Sequence, residues 1–96
     1  MRTIYQGETL PLETEVFDIE GDPSDLSLAT VGFSIKFPDG VVEDITPDIS
    51  GNVASVALAT DQTTLKGIYT YQFTITLADE TKKQLGVFKV ESAVKI

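Results

Sequence analysis

The stretch from residue 69 to residue 77 alternates strictly between large apolar and polar side chains. Its apolar members are Tyr69, Tyr71, Phe73, Ile75 and Leu77, and threonine or glutamine fills every position between them. Successive side chains of a β-strand point to opposite faces, so a period of two gives a strand one core face and one wet face. The stretch therefore predicts a half-buried β-strand, central to the fold.

Three further segments, residues 9–17, 30–37 and 52–59, repeat this period of two. Their apolar positions are Leu10, Leu12, Val16, Val31, Phe33, Ile35, Phe37, Ala54, Val56 and Leu58. A strand buried in a parallel sheet would be apolar on both faces, whereas alternation is typical of antiparallel sheets with one face in water. Shorter strands at residues 2–5, 41–45 and 82–92 bring the expected number to about seven.

Turn-forming residues separate these strands at residues 20–24, 37–41, 49–52 and 77–81. Glycine, proline, aspartate and asparagine supply the φ values that tight reversals need. Only residues 60–66 leave room for a helical turn. The pattern predicts an all-β fold, an immunoglobulin-like antiparallel β-sandwich of about seven strands, built as a single domain over residues 1–96.

The last strand departs from simple alternation. Leu85 and Val87 would share one face, while Phe88 and Val90 would share the other. Either a β-bulge near Gly86 re-aims the chain, or both faces of this strand are covered.

Tyr69 stands at the start of the central strand, after Leu65-Lys66-Gly67-Ile68. In immunoglobulin-like sandwiches a tyrosine two residues ahead of a core position bonds its hydroxyl to backbone a few residues upstream. Tyr71 then occupies the position where antibody domains carry a cysteine. The alternative is that Tyr69 is an ordinary half-buried strand aromatic.

The 96 residues contain no histidine and no cysteine. This removes the commonest metal ligand, the usual general base near neutral pH, thiolate catalysis and any disulfide framework. Serine and threonine hydroxyls have no histidine partner, and the carboxylates have no tryptophan beside them to stack a sugar. We therefore expect no enzyme, with no catalytic or cofactor-binding residue and no cofactor.

The net charge of −8 is unevenly placed. Lys36 is the only basic residue between Thr3 and Leu65, and the last third of the chain holds Lys66, Lys82, Lys83, Lys89 and Lys95. An acidic surface repels phosphate groups, which disfavours nucleic acids and membranes as partners. The charge either promotes solubility alone, or pairs an acidic end of one molecule with a basic end of the next.

The one metal-like constellation lies between residues 18 and 25. Asp18, Glu20, Asp22 and Asp25 offer the oxygen ligands that calcium prefers. Pro23 stands where a twelve-residue calcium loop needs its glycine, and Ala29 stands where that loop needs its glutamate. The four acids are thus calcium candidates with an incomplete match, and a solvated acidic loop is the alternative.

Tyr5, Phe17 and Val87 are the candidate interface residues. Isolated apolar side chains on a surface are normal, whereas a contiguous patch would mark a protein interface. The first strand, if it lies at a sheet edge, is also suited to extending the sheet of a neighbouring subunit.

Five short motifs together resemble a known family. They are Tyr5-Gln6-Gly7-Glu8-Thr9, Gly21-Asp22-Pro23 with Asp25-Leu26-Ser27, Ser50-Gly51-Asn52-Val53, Leu65-Lys66-Gly67-Ile68-Tyr69 and Gly86-Val87-Phe88-Lys89-Val90. Over nearly the whole chain, their order and spacing resemble the N-terminal immunoglobulin-like domain of phage baseplate upper proteins and related small phage tail structural proteins. The resemblance implies a non-enzymatic virion part of the tail, baseplate or neck that docks to other subunits, often in rings.

Members of that family commonly continue beyond this domain to hold receptor-binding proteins, whereas this sequence ends at Ile96. We therefore expect a stand-alone structural or connector subunit. Its expected partners are other tail and baseplate proteins and further copies of itself. Its expected location is the virion and, during assembly, the bacterial host cytoplasm, since the start of the sequence lacks the apolar core of a secretory signal. The alternative function is a small β-sandwich module that binds carbohydrate or calcium.

Overall fold

Two β-sheets packed face to face form the fold, in a computed structural model that describes residues 2–17, 21, 26, 29–77 and 80–92. The strands are β1 (Arg2–Tyr5), β2 (Leu10–Glu15), β3 (Thr30–Lys36), β4 (Val42–Ile45), β5 (Asp48–Ser50), β6 (Val53–Leu58), β7 (Gly67–Leu77) and β8 (Glu80–Glu91). A 3-10 turn at Thr60–Gln62 lies in the one segment with predicted room for a helical turn. The all-β sandwich predicted from alternation is confirmed.

One sheet has five strands in the order β1-β8-β7-β3-β4, and the other has three in the order β2-β6-β5. Strand β7 lies at the centre of the larger sheet, antiparallel to both β3 and β8. If β4 is treated as an additional C′ strand, the neighbours β2-β6-β5 and β3-β7-β8 take the letters B-E-D and C-F-G of immunoglobulin domains. The immunoglobulin-like chain path stays an interpretation of this strand order.

The pairing of β1 differs from the predicted antiparallel arrangement, because β1 lies parallel to β8 with Ile4 opposite Val90. Strand β1 belongs to the larger sheet and β2 to the smaller one, so the chain changes sheet over residues 6–9. Gly7 has a φ of 83° in this crossing, a value that costs glycine little. Alternation in a four-residue strand shows which side is buried but carries no information on its direction.

Strand β5 was not predicted, and it raises the number of strands from about seven to eight. All three of its residues are exposed, so it lacks the alternation that identifies the other strands. Strand β8 begins at Glu80 but pairs with β1 only from Phe88 onward. Among the residues that the structure describes, positions 80–87 therefore have no strand neighbour on that edge.

The core lies between the two sheets and contains most of the apolar positions that alternation selects, while Val31, Phe37 and Tyr71 are partly buried and pack against it. Its buried residues are Ile4, Leu10, Leu12, Val16, Leu26, Phe33, Ile35, Ala54, Val56, Leu58, Tyr69, Phe73, Ile75, Phe88 and Val90. Aromatic rings join the central strands, with Phe33 and Phe73 at 4.9 Å and Tyr69 and Phe88 at 4.7 Å between ring centroids. Aromatic pairs at such distances stabilise the folded state beyond the free energy that burial of their surface provides.

The bulge predicted near Gly86 is absent, because β7 and β8 keep one continuous register through the Tyr71–Gly86 pair. Gly86 instead faces the core and makes room for the Tyr71 ring. A Cβ atom at position 86 would lie 2.8 Å from Cε1 of Tyr71 and closer still to its Cζ and hydroxyl. A side chain at this position would thus occupy space that the tyrosine already fills.

Replacing Gly86 with alanine should lower the free energy of unfolding by about 1–3 kcal/mol, as overpacking of cores does. Gly32→Ala is the matched control, because Gly32 lies in the same sheet and nothing stands within 4 Å of a Cβ there. We expect the control to stay within about 0.5 kcal/mol of the wild type in urea unfolding. In a Tyr71→Leu background, Gly86→Ala should lower the free energy of unfolding by less. An equal loss in that background would contradict the overlap between the alanine Cβ and the Tyr71 ring.

Candidate functional site

The outer face of the five-stranded sheet combines exposed apolar side chains with lysines. The strand register brings Val87, Thr70, Lys36 and Val42 into one row across four strands. Leu85 is 69% exposed and Val42 61%. We call this surface the apolar–lysine face, and its members are Lys36, Val42, Ile68, Lys83, Leu85, Val87 and Lys89.

The irregular last strand explains why this face is apolar. Phe88 and Val90 enter the core, so Leu85 and Val87 must point to the opposite side. Both are exposed in the single chain, so no described part of the chain covers the outer face of this strand, and the alternative of a bulge is wrong. The two outward aliphatic residues therefore add apolar surface to the outer side of this sheet.

Small side chains on β3 and β7 recess the middle of the face. Gly32, Ser34, Asp44, Thr46 and Thr74 line a shallow depression of about 380 Å³. A neighbouring depression of about 170 Å³ lies between Leu85 and Val42, with Thr70 and Gln72 among its lining residues. The face is therefore a broad, open trough with aliphatic and lysine side chains at its margins, rather than an enclosed pocket.

The outer face of the three-stranded sheet has a different composition. Glu13, Ser55 and Asp48 form one row across it, and Glu15 shares the next row with Val53. We call the surface formed by Glu13, Glu15 and Asp48 the acidic face. Among the described outward residues of these three strands, none is basic.

Two of the three candidate interface residues lie on one surface. Tyr5, Phe17 and Val87 are each 45% exposed. Tyr5 pairs with Glu91 on the edge strand and shares the outer side of the larger sheet with Val87. Phe17 follows β2 of the smaller sheet, and its carbonyl accepts a hydrogen bond from Nζ of Lys82 at 3.2 Å, so it lies apart from them.

Of the four aliphatic members of the apolar–lysine face, only Val87 was predicted from the sequence as an interface residue. Val42, Ile68 and Leu85 were missed. The conflict between the Leu85–Val87 pair and the Phe88–Val90 pair was the signal that could have found Leu85. Ile68 sits on the wet face of the strand that begins with Gly67, and strict alternation from Tyr69 onward already placed it outward.

The four calcium candidates Asp18, Glu20, Asp22 and Asp25 lie outside the described residues. Within the described part of the chain, no group of three or more acidic side chains is arranged to hold a metal ion. The same part of the chain holds no helix that is long and apolar enough to cross a membrane.

Tyr69 forms the corner that its position predicted. It is fully buried, and its hydroxyl donates a hydrogen bond of 2.8 Å to the carbonyl oxygen of Leu65, four residues upstream. Burial raises the pKa of the Tyr69 phenol above its usual value of 10.0, although the hydrogen bond to Leu65 opposes the shift and the negative charge of Asp39 adds to it. The fold therefore holds this tyrosine in its neutral form.

The neighbouring Gly67 is required by both its backbone and its surroundings. Its φ of 133° lies outside the range that other residues favour. An added Cβ would also lie 2.8 Å from Cβ of Pro38. The turn at Pro38 and the start of β7 thus pack closely, which holds one end of the apolar–lysine face in place.

Tyr69→Phe should lower the free energy of unfolding at neutral pH by about 1 kcal/mol, because the hydrogen bond to Leu65 is lost. The folded-state pKa of Tyr69 is raised, so the unfolded chain ionises first. The wild type should therefore lose stability as pH rises above about 10. Denaturant unfolding between neutral and strongly alkaline pH should show a shallower loss for Tyr69→Phe. Tyr5→Phe, at an exposed position, serves as control, and equal slopes for all three proteins would contradict the buried neutral phenol.

Comparison with known proteins adds no family assignment. A scan against protein-family models matches none of them, and a search of curated proteins finds no match either. The function proposed below therefore rests on the surfaces described above and on the motif resemblance.

Proposed function

We propose that the protein is a non-enzymatic structural component of a phage or prophage virion, in its tail, baseplate or neck, and that it acts by binding other proteins. The observation that carries the proposal is the apolar–lysine face. Exposing Leu85, Val87, Val42 and Ile68 to water on a single surface is unfavourable in free energy, and covering them with another molecule removes this cost.

The shape of the surface supports protein contact over chemistry. Its middle is open and shallow, whereas sites for small molecules are concave and bury most of their ligand. Strands β3, β7 and β8 hold the exposed side chains on a hydrogen-bonded sheet. A surface held in this way presents the same shape before and after binding, which lowers the entropic cost of association.

The motif resemblance supplies the virion context. Gly7, Gly51 and Gly67 of these motifs all have positive φ, so they serve turns and strand starts. The shared motifs thus support a shared sandwich framework and identify no binding residue. The framework and the exposed face together favour a docking subunit.

Particles purified from the strain that encodes the chain should contain this protein in a fixed copy number, measured by mass spectrometry. Leu85→Asp should reduce its incorporation, because a carboxylate would have to be desolvated at the contact. Val41→Asp is the control, since Val41 is exposed but lies in the β3–β4 turn. A wild-type protein that is abundant in the lysate yet missing from particles would rule out the virion role.

A ligand-binding module is the second candidate, favoured by the depression that Ser34, Asp44, Thr46 and Thr74 line with polar groups. A ligand that binds only the folded state raises the melting temperature by mass action. Under this alternative, calcium chloride or soluble oligosaccharides should raise the melting temperature of the wild type. They should do so less for Asp44→Asn. An unchanged melting temperature with every probe would leave the protein-binding function alone.

A further inference from the structure

We infer that the apolar–lysine face docks the acidic face of a second copy of this chain, so that copies associate head to tail. The inference rests on the proposed function and specifies one partner for the docking surface. The two sheets of this chain, whose net charge is −8, carry different charges on their outer faces.

The charges of the two faces are complementary. The apolar–lysine face carries Lys36, Lys83 and Lys89, while Glu13, Glu15 and Asp48 face outward from the opposite sheet. Acids also occur beside the lysines, but Glu91 is paired with Lys89 at 2.9 Å. Asp44 accepts a hydrogen bond from the Ser34 hydroxyl and keeps its negative charge, so this face carries three lysines and two acids.

Lys36 and Lys83 form no ion pair among the described residues. These two lysines are therefore the charges available to a partner.

Counted in strands, the separation of the charges is the same on the two faces. Lys83 on β8 and Lys36 on β3 are separated by the single strand β7, and the acids on β2 and β5 are separated by the single strand β6. Adjacent strands lie about 4.8 Å apart, so both charged columns are about 10 Å apart across their sheets. The match holds across the strands only, because Lys83 and Lys36 lie opposite Thr74 and Thr70, four positions apart along β7, whereas Glu13 and Asp48 both lie opposite Ser55.

The residues between the charged columns fit the same arrangement. Thr70 and Gln72 recess the middle of one face, while Val53 and Ser55 on β6 occupy the middle of the other. Strand β7 of one copy and strand β6 of the other can approach each other without burying an unpaired charge. Leu85 and Val87 would be covered at the margin of this contact. Electrostatic complementarity of this kind selects the partner and its orientation.

Contact between the same face of two copies is less favourable than contact between the two different faces. Two apolar–lysine faces would bring lysine columns together, and two acidic faces would bring carboxylates together, and like charges at an interface disfavour association. Because the two complementary faces lie on opposite sides of the sandwich, the contact is heterologous. Such contacts propagate into closed rings or open filaments.

Charge reversal tests the inference. Lys36→Glu with Lys83→Glu gives the lysine-reversed variant, and Glu13→Lys with Glu15→Lys gives the acid-reversed variant. Each variant alone should be monomeric by light scattering at concentrations where the wild type associates, because two faces of like charge would meet. An equimolar mixture should associate again, since each variant now complements the other. Denaturant unfolding of both variants, with midpoints near that of the wild type, confirms that they are folded.

Salt provides a second readout. Association of the wild type should weaken by at least about tenfold at about 1 M sodium chloride, where the screening length falls to about 3 Å. A mixture of the two variants that stays monomeric would overturn the inference. So would an acid-reversed variant that associates like the wild type.

The two proposals fail in different ways. A wild-type chain that is monomeric at every concentration but present in purified particles overturns head-to-tail pairing and leaves the virion role standing. Loss of association in the lysine-reversed variant alone would also overturn pairing with the acidic face, while it would support a docking surface for another protein. Absence from particles overturns the virion role whatever the light scattering shows.

Discussion

The structure depends on strand β7, which is hydrogen-bonded on both edges and buried on one face. Its register with β3 and β8 fixes where every outward and inward side chain of the larger sheet lies. Tyr69 and Phe73 bring their rings against Phe88 and Phe33 of the neighbouring strands. These contacts join residues far apart in sequence and hold β3, β7 and β8 in the alignment from which the outer surface of the larger sheet follows.

Much of this fold could be predicted because alternation reports burial directly. All the apolar positions that alternation selects on residues 52–59 are buried, and so are Phe33 and Ile35. The turn at Pro38-Asp39-Gly40 was also predicted, and Gly40 has the φ of 90° that its turn chemistry indicates. Strand β5 and the direction of β1 could not be predicted, since three exposed residues show no pattern and pairing direction leaves no mark on a four-residue strand.

The candidate site was only partly visible in the sequence. Whether an aliphatic residue is exposed depends on the strands and layers that pack beside its own strand. Alternation alone does not show whether an outward side chain faces solvent or another layer of the fold. Val87 was among the predicted interface residues, whereas Leu85, which conflicts with Phe88 in the same way, was not, and Val42 lies in a short strand without a clear period. The expected bulge was wrong for a related reason, because a glycine can relieve crowding from Tyr71 through its missing side chain without altering the register.

The long open edge of β8 has a consequence for how such a molecule behaves in concentrated solution. Among the described residues no strand pairs with this edge at positions 80–87, which leaves it open to a foreign strand, yet Lys82 and Lys83 place adjacent positive charges there. Lys82 also points toward the gap between the sheets, where it bonds to the carbonyl of Phe17. Inward-turned and edge lysines are a recognised barrier to amyloid-like stacking. Lysines at these positions therefore oppose pairing between the β8 edges of neighbouring molecules, while the outer faces of both sheets carry no such barrier.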